Sequence, residues 1–246
     1  MKEKIVVFFP TGNIAKFERY KAAFEAIGIE YRRYLQIKDK DGTLKDCTVM
    51  VPEDGNSALV NAEKKARAYY DAYKPYMPAD IKLYIMTTDE ELHIDGIAKE
   101  KQPNLFVRRI LGEDKHKATD KEMVEIYGKT FTDIAEKQNS EAVNAAWGYS
   151  LTLFGGNLVH KYNWIERVVF ATKYKPNTEI PKGYPLNCMT FATKGDGDKS
   201  KRLSELSPEE AQNYFSGYTN AVAKFVKDHI NLELRIGEGE IERWKF

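Results

Sequence analysis

The stretch Ile5-Val6-Val7-Phe8-Phe9-Pro10-Thr11-Gly12-Asn13-Ile14-Ala15-Lys16-Phe17-Glu18 decides how this chain is read. Its Ile, Val and Phe run predicts a buried strand, which empties into Thr11-Gly12-Asn13 and continues as an amphipathic helix. Gly12 is expected to turn the backbone at positive φ, and the Asn13 side-chain oxygen to cap the helix behind it. The free N–H groups of a helix start and its dipole favour an anion, and Lys16 adds a point charge beside them. The turn is therefore either a phosphate site at the carboxyl end of the first strand or an ordinary capped connection. Spacing alone favours the second.

Outward from that stretch, Phe17, Tyr20, Phe24 and Ile27 keep helical spacing up to Gly28, a good residue to end a helix. Glu30 to Ile37 and Leu44 to Val51 read as further strands around the polar turn 38–42, and Asn56 to Tyr73 as a second helix closed by Pro75 and Pro78. Ile81 to Met86 is an apolar strand expected to open into Thr87-Thr88-Asp89-Glu90-Glu91, which would set carboxylates at a sheet edge. Leu92 to Ile97 alternates like a hairpin arm. Gly112 to Lys117 is a polar run, and Thr119 with Glu122 forms a capping box for a helix reaching Lys137. Trp147 to Phe154, Trp164 to Tyr174 and Asn187 to Thr193 read as strands of a β-rich second half, with loops at Gly155-Gly156-Asn157 and from Pro176 to Pro185. After the polar loop Gly195 to Lys201, Ser207-Pro208-Glu209-Glu210 opens a last helix running to about His229. No internal repeat or long linker interrupts the chain, so residues 1–246 are expected to form a single α/β domain with two lobes.

The totals narrow the class. The 246 residues carry 38 Lys and Arg against 37 Asp and Glu, a balance that argues against binding a nucleic-acid polymer. Met1-Lys2-Glu3-Lys4 leads into only a short apolar run, and no apolar stretch approaches membrane length, so neither a leader nor a span is expected. Cys47 and Cys188 are far apart without metal-like spacing, which fits reduced thiols in the cytoplasm. Neither cysteine has a His nearby in sequence and no Gly-x-Ser-x-Gly occurs, so nucleophilic catalysis has no supporting arrangement.

Five segments, in order, resemble the inosine-triphosphatase family, which hydrolyses non-standard purine nucleoside triphosphates. Thr11-Gly12-Asn13-Ile14-Ala15-Lys16 resembles the family's Thr-Gly-Asn-x-x-Lys, and Asn61-Ala62-Glu63-Lys64-Lys65-Ala66 its Asn-Ala-x-x-Lys-Ala. Thr88 to Ile97 is similar to Asp-Asp-Ser-Gly-Leu-x-Val-Asp-Ala-Leu, and Pro103 to Ile110 to Pro-Gly-x-Tyr-Ser-Ala-Arg-Tyr. Lys201 to Glu210 resembles Lys-Thr-Phe-Ala-Glu-Met-Ser-Pro-Glu-Glu. Four places depart from it. The family's metal-binding Glu before Asn-Ala aligns with Val60, leaving Glu53, Asp54 or Glu63 as substitutes. An acidic residue three after the first Lys aligns with Arg19, although Glu18 is adjacent. The base-recognition block falls near Tyr184 to Met189 and keeps none of its residues, and the family's Ser-His-Arg falls in Phe215 to Tyr218 without His or Arg.

The resemblance implies a long twisted mixed sheet flanked by helices, with the nucleotide in a central cleft between two lobes. It implies metal-dependent hydrolysis of a nucleoside triphosphate to monophosphate and pyrophosphate, on a non-standard or modified purine. Thr11, Gly12, Asn13 and Lys16 would hold the triphosphate, with Lys65, Arg109 and Lys201 adding positive charge. Asp89 would take Mg²⁺ (Mn²⁺ as alternative) together with Glu18, and Glu90 would be a further ligand or base. Members of the family tend to dimerise. Two alternatives stay open: a nucleotide-binding or regulatory protein that has lost catalysis, and a phosphatase of the same fold.

Overall fold

The computed structural model describes residues 4–110, 117–156, 158–175, 178–193 and 199–237, the last seven by backbone alone. Residues 112–116 of the polar run, 195–198 of the loop Gly195 to Lys201, Asn157 in the turn after Gly155 and residues 176–177 of the proline-rich loop lie outside the described residues.

Strand β1 (Lys4–Phe8) runs into helix α1 (Ile14–Ile27), which the Asn13 side chain caps through the Lys16 N–H and which ends at left-handed Gly28. Strand β2 (Glu30–Arg32) follows. Helix α2 (Ala58–Tyr73) leads to β5 (Ile81–Ile94), and α3 (Asp120–Gln138) starts on the expected Thr119–Glu122 capping box. Strands β6 (Ala142–Gly155) and β7 (Leu158–Ala171) form a long hairpin, and α4 (Pro208–Gly237) is capped by Ser207 and Glu210. The main sheet has the order β2-β1-β5-β6-β7: β1 is parallel to β2 and β5, and β5, β6 and β7 are antiparallel.

Several expected elements differ. The strand read over Leu44 to Val51 shortens to Leu44–Asp46, and the last helix runs past His229 to Gly237. The strand read from Glu30 to Ile37 breaks after Arg32 because Leu35 turns into the core, where its carbonyl accepts the Cys47 N–H. The remainder becomes β3 (Gln36–Lys38), paired only with β4 (Leu44–Asp46). Asn187 to Thr193 is a 3-10 turn with two single bridges rather than a strand. The apolar strand, acidic turn and hairpin arm read between Ile81 and Ile97 are one continuous β5 ending at Ile94, with Asp89 and Glu90 in its middle.

Length mismatch makes the cleft. Strand β1 stops where Phe8 faces Ile85, whereas β5 continues beside β6 to Ile94. Among the described residues its other edge stays unpaired until Leu92 exchanges both backbone hydrogen bonds with Asn104. Alternate residues of a strand face opposite sheet sides, so the chain builds a core on each. Val7, Phe9, Tyr84, Met86, Leu151 and Leu153 pack under α1 and α4, and Val6, Phe8, Leu83, Ile85 and Phe154 under α2. Beyond the cleft, Leu92, Ile94, Val143, Val168 and Phe170 pack against Met123, Tyr127 and Phe131 of α3 as the core of the second lobe. Phe131 stacks on Phe170 at 4.5 Å between ring centres. No helix among the described residues is long and apolar enough to cross a membrane.

Candidate functional site

The open edge of β5 forms the floor of a cleft of about 1070 Å³. The strand period sends Asp89 toward α2 and Glu90 toward α1. On the α2 side, the Thr87 hydroxyl donates to the Ala62 carbonyl at 2.5 Å and fixes the helix over the strand. Buried Asn61 accepts the Gly55 N–H at 2.8 Å, which folds the loop before α2 inward. A Cβ on Gly55 would stand 2.4 Å from that Asn61 oxygen, so only glycine fits. The folded loop presents Glu53. The Lys65 ammonium lies 2.8 Å from Glu53 and 3.5 Å from Asp89, between the two carboxylates, and Arg109 and Lys117 each reach Glu53 at 3.5 Å. Burial pushes the Asp89 carboxyl above its ordinary range, and nearby Glu53 adds to this, although Lys65 and Lys16 pull the other way. Glu53 also pays for burial, but Lys65, Lys117 and Arg109 together hold it below the usual range.

On the α1 side, Lys16 pairs with Glu90 at 3.0 Å, both largely buried. Burial would lower the Lys16 pKa; the Glu90 carboxylate more than offsets it, so the ammonium is held more tightly than usual. The Asn13 side chain takes the Lys16 N–H, and Thr11 Oγ1 accepts the Asn13 N–H at 3.1 Å. The first turn of α1 carries no acidic residue and does carry Lys16. That is the reverse of the usual charge preference at a helix start, and a bound anion would relieve it. Gly12 is not at positive φ, contrary to expectation; a Cβ there would meet nothing within 4 Å, so its bare backbone faces open space.

The second lobe reaches across to this turn. Gly183 accepts from Asn13 Nδ2 at 2.9 Å and donates to Asp120 at 2.9 Å, and Asp120 in turn holds Arg108 at 2.6 Å. Gly183 has φ +83°, and a Cβ would fall 2.5 Å from Asn13 Oδ1. Gly183→Ala should therefore cost about 2 kcal/mol, from left-handed backbone strain and the displaced Asn13, or roughly 4–8 °C in melting temperature for a chain of this size. Calorimetry with unchanged melting would show that the loop and the turn are not coupled. The next residue, Tyr184, lies 3.6 Å under the Arg19 guanidinium, with Phe215 on another side at 4.8 Å. Trp147, Tyr149, Glu166 and Tyr214 complete this end of the cleft.

Thr11, Gly12, Asn13, Lys16, Lys65, Asp89, Glu90 and Arg109 thus line one cleft. Glu18 does not. At about 100° per residue it sits more than half a turn from Lys16, 57% exposed and paired with Lys21. The metal role expected of it has no geometric basis. Lys201 pairs with Glu210 and lies off the cleft lining. Of the three substitutes for the carboxylate at Val60, Asp54 pairs with exposed Lys64 and Glu63 with Arg67 and Lys161, while Glu53 faces the cleft. Arg19, three residues after Lys16 and on the same helix face, was legible by helical period alone.

No protein-family model matches this chain, and no curated protein matches it in sequence. Among solved structures it is similar to the Ham1 protein of Staphylococcus aureus, with a TM-score of 0.56 at 15% identity, covering 91% of this chain and 99% of the other. At that identity the likeness concerns the fold: the mixed α/β, inosine-triphosphatase-like architecture.

Proposed function

We propose that the chain is a metal-dependent nucleoside triphosphate pyrophosphatase. The observation that carries this is the Lys65 ammonium held between Glu53 and Asp89, facing the Lys16–Glu90 pair across the open edge of β5. Two carboxylates with room for phosphate oxygens suit Mg²⁺, which seldom takes a full cage of protein ligands. Among the described residues no group of three His, Cys, Asp or Glu is placed to hold an ion. Asp89 and Glu53 would hold the ion, whose presence neutralises charge developing on the phosphate oxygens. With those carboxylates engaged, Lys65 would be free to pair with the phosphates beside Arg109. The α1 start and Lys16 grip the far phosphate, and the aromatic end receives the nucleoside. In the reaction, a water oxygen bonds to the α-phosphorus and the bond to the bridging oxygen breaks, releasing pyrophosphate. The proton passes to a carboxylate, for which Glu90 is placed once Lys16 engages phosphate.

The test is a panel of standard and modified nucleoside triphosphates with Mg²⁺, following pyrophosphate and phosphate separately. Pyrophosphate release, abolished by chelator and restored by Mg²⁺ or Mn²⁺, is expected. Tight nucleotide binding without turnover would favour the binding or regulatory protein, and phosphate release alone the phosphatase.

A further inference from the structure

We infer that Asp120, at the start of α3 in the second lobe, is a positioning residue for the phosphate turn of the first lobe, acting through the Gly183 peptide on Asn13. This rests on the reading above only for what the turn grips. The Asp120 carboxylate divides its two oxygens. Oδ2 accepts the Gly183 N–H at 2.9 Å, and Oδ1 accepts Arg108 Nη2 at 2.6 Å. The Gly183 carbonyl accepts from Asn13 Nδ2 at 2.9 Å, and Asn13 Oδ1 accepts the Lys16 N–H at 3.0 Å. One line of contacts thus joins the first residue of α3 to the first turn of α1, across 63 and then 170 positions of chain.

Each link sets the next. Arg108 is itself tied down: its Nη1 donates to the Ala118 carbonyl at 3.3 Å, and its own carbonyl accepts the Ala118 N–H at 2.6 Å. With one oxygen held there, the carboxylate aims the other at Gly183, in a charge-assisted bond to a backbone N–H. Gly183 has φ +83° and no room for a Cβ beside Asn13, so only a glycine brings its backbone to both partners. The Asn13 amide is a donor at one end and an acceptor at the other. Gly183 on the donor end fixes its rotation, and the acceptor end then points at the helix. The base of the line is firm, because the Thr119–Glu122 box closes the start of α3 and Met123, Tyr127 and Phe131 bury the helix in the second-lobe core. The common task of an acid at a helix start, complementing the dipole, is already filled by Glu122 in the same turn and requires neither Asp120 bond. An anion held by first-turn N–H groups needs them aimed, and small misplacement is costly.

Asp120→Ala cuts the line at its base, and Asn13→Ser cuts it at the far end while keeping a side-chain oxygen to cap α1. These variants, the double variant and the wild type are compared by calorimetric binding of inorganic tripolyphosphate with Mg²⁺ chelated, and by melting. Asp120→Ala should weaken binding about tenfold, with melting lowered by no more than about 4 °C. The double variant should bind no more than about twofold weaker than Asn13→Ser alone, since the line is already cut. Should the alanine variant not fold, Asp120→Asn keeps the shape with a single accepting oxygen for two donors and is read in the same cycle. Unchanged binding in the Asp120 variant, additive losses in the double variant, or no binding by the wild type overturns the inference. The expected binding pattern without turnover of any nucleoside triphosphate would sink the pyrophosphatase reading and leave this one standing.

Discussion

Asp89→Asn should cut pyrophosphate release by roughly 10²–10³-fold while the protein melts no lower than the wild type. The loss follows from removing one of the two carboxylates at Lys65, the pair that would hold the ion. The retained stability follows from the direction of the Asp89 shift. Its carboxyl is raised by burial and by Glu53, against the pull of Lys65 and Lys16. A carboxyl whose folded pKa exceeds its unfolded pKa holds its proton more tightly in the native state. Its favourable contribution therefore belongs to low pH and is lost as pH rises through the native value. At neutral pH the ionised group weighs against the fold, and asparagine, which cannot ionise, removes that burden. The same shift sets the acid limb of activity. Asp89 should lose its charge at a pH above the ordinary aspartate range, and the Mg²⁺ concentration needed for half-maximal rate should climb there. Glu53, held low by Lys65, Lys117 and Arg109, stays ionised through that interval. Paired melting and rate measurements across pH 4–8 check both parts. A melting drop alongside the activity loss would make Asp89 a structural residue instead.

Lys16→Met should be the most destabilising change in the cleft. It leaves the Glu90 carboxylate buried against Tyr20 and Tyr149 without its counter-ion, and uncovering one half of a buried pair costs about 3 kcal/mol. For a chain of this length that is roughly 6–12 °C in melting temperature. The raised Lys16 pKa places the window: the pair contributes fully below the usual 10.5 and is lost only as alkaline pH passes the native value. Lys16→Met with Glu90→Gln removes both charges and should recover most of the melting temperature. Activity should not return, because the phosphate grip is still missing. Recovery of both would show that the pair is purely structural, and recovery of neither would place the cost of the single change elsewhere than in an orphaned carboxylate.

These outcomes turn on residues that differ in how far sequence could find them. The strand, the Asn13 cap, the Gly28 stop and the capping boxes at Thr119 and Ser207 are set by neighbours within a few positions, so local pattern reads them correctly. Asp89 is legible in the sequence as a cleft carboxylate, but its place in the middle of β5 is not. An acidic cluster after an apolar strand looks like its end, yet β6 offers a partner for every residue through Ile94 and the strand continues. Glu18 stands beside the position where the family carries an acidic residue, but the helical period turns it outward and turns Arg19 in.

Sequence by itself determined the elements whose causes are local: the first strand, its capped turn into α1, the Gly28 stop, the capped helix starts at Thr119 and Ser207, and the Lys16 positive end. It also held the ordered motifs that foretold an inosine-triphosphatase-like fold. Only the tertiary structure decided which carboxylate joins Asp89 and what Arg19 does. Glu53 sits on a loop without period, and a hydrogen bond from Gly55 to buried Asn61 aims it. Arg19 takes its meaning from Tyr184, which a chain 165 residues further on brings beneath it. Both are contacts across large sequence separation, fixed by packing and burial rather than by the spacing that a sequence displays.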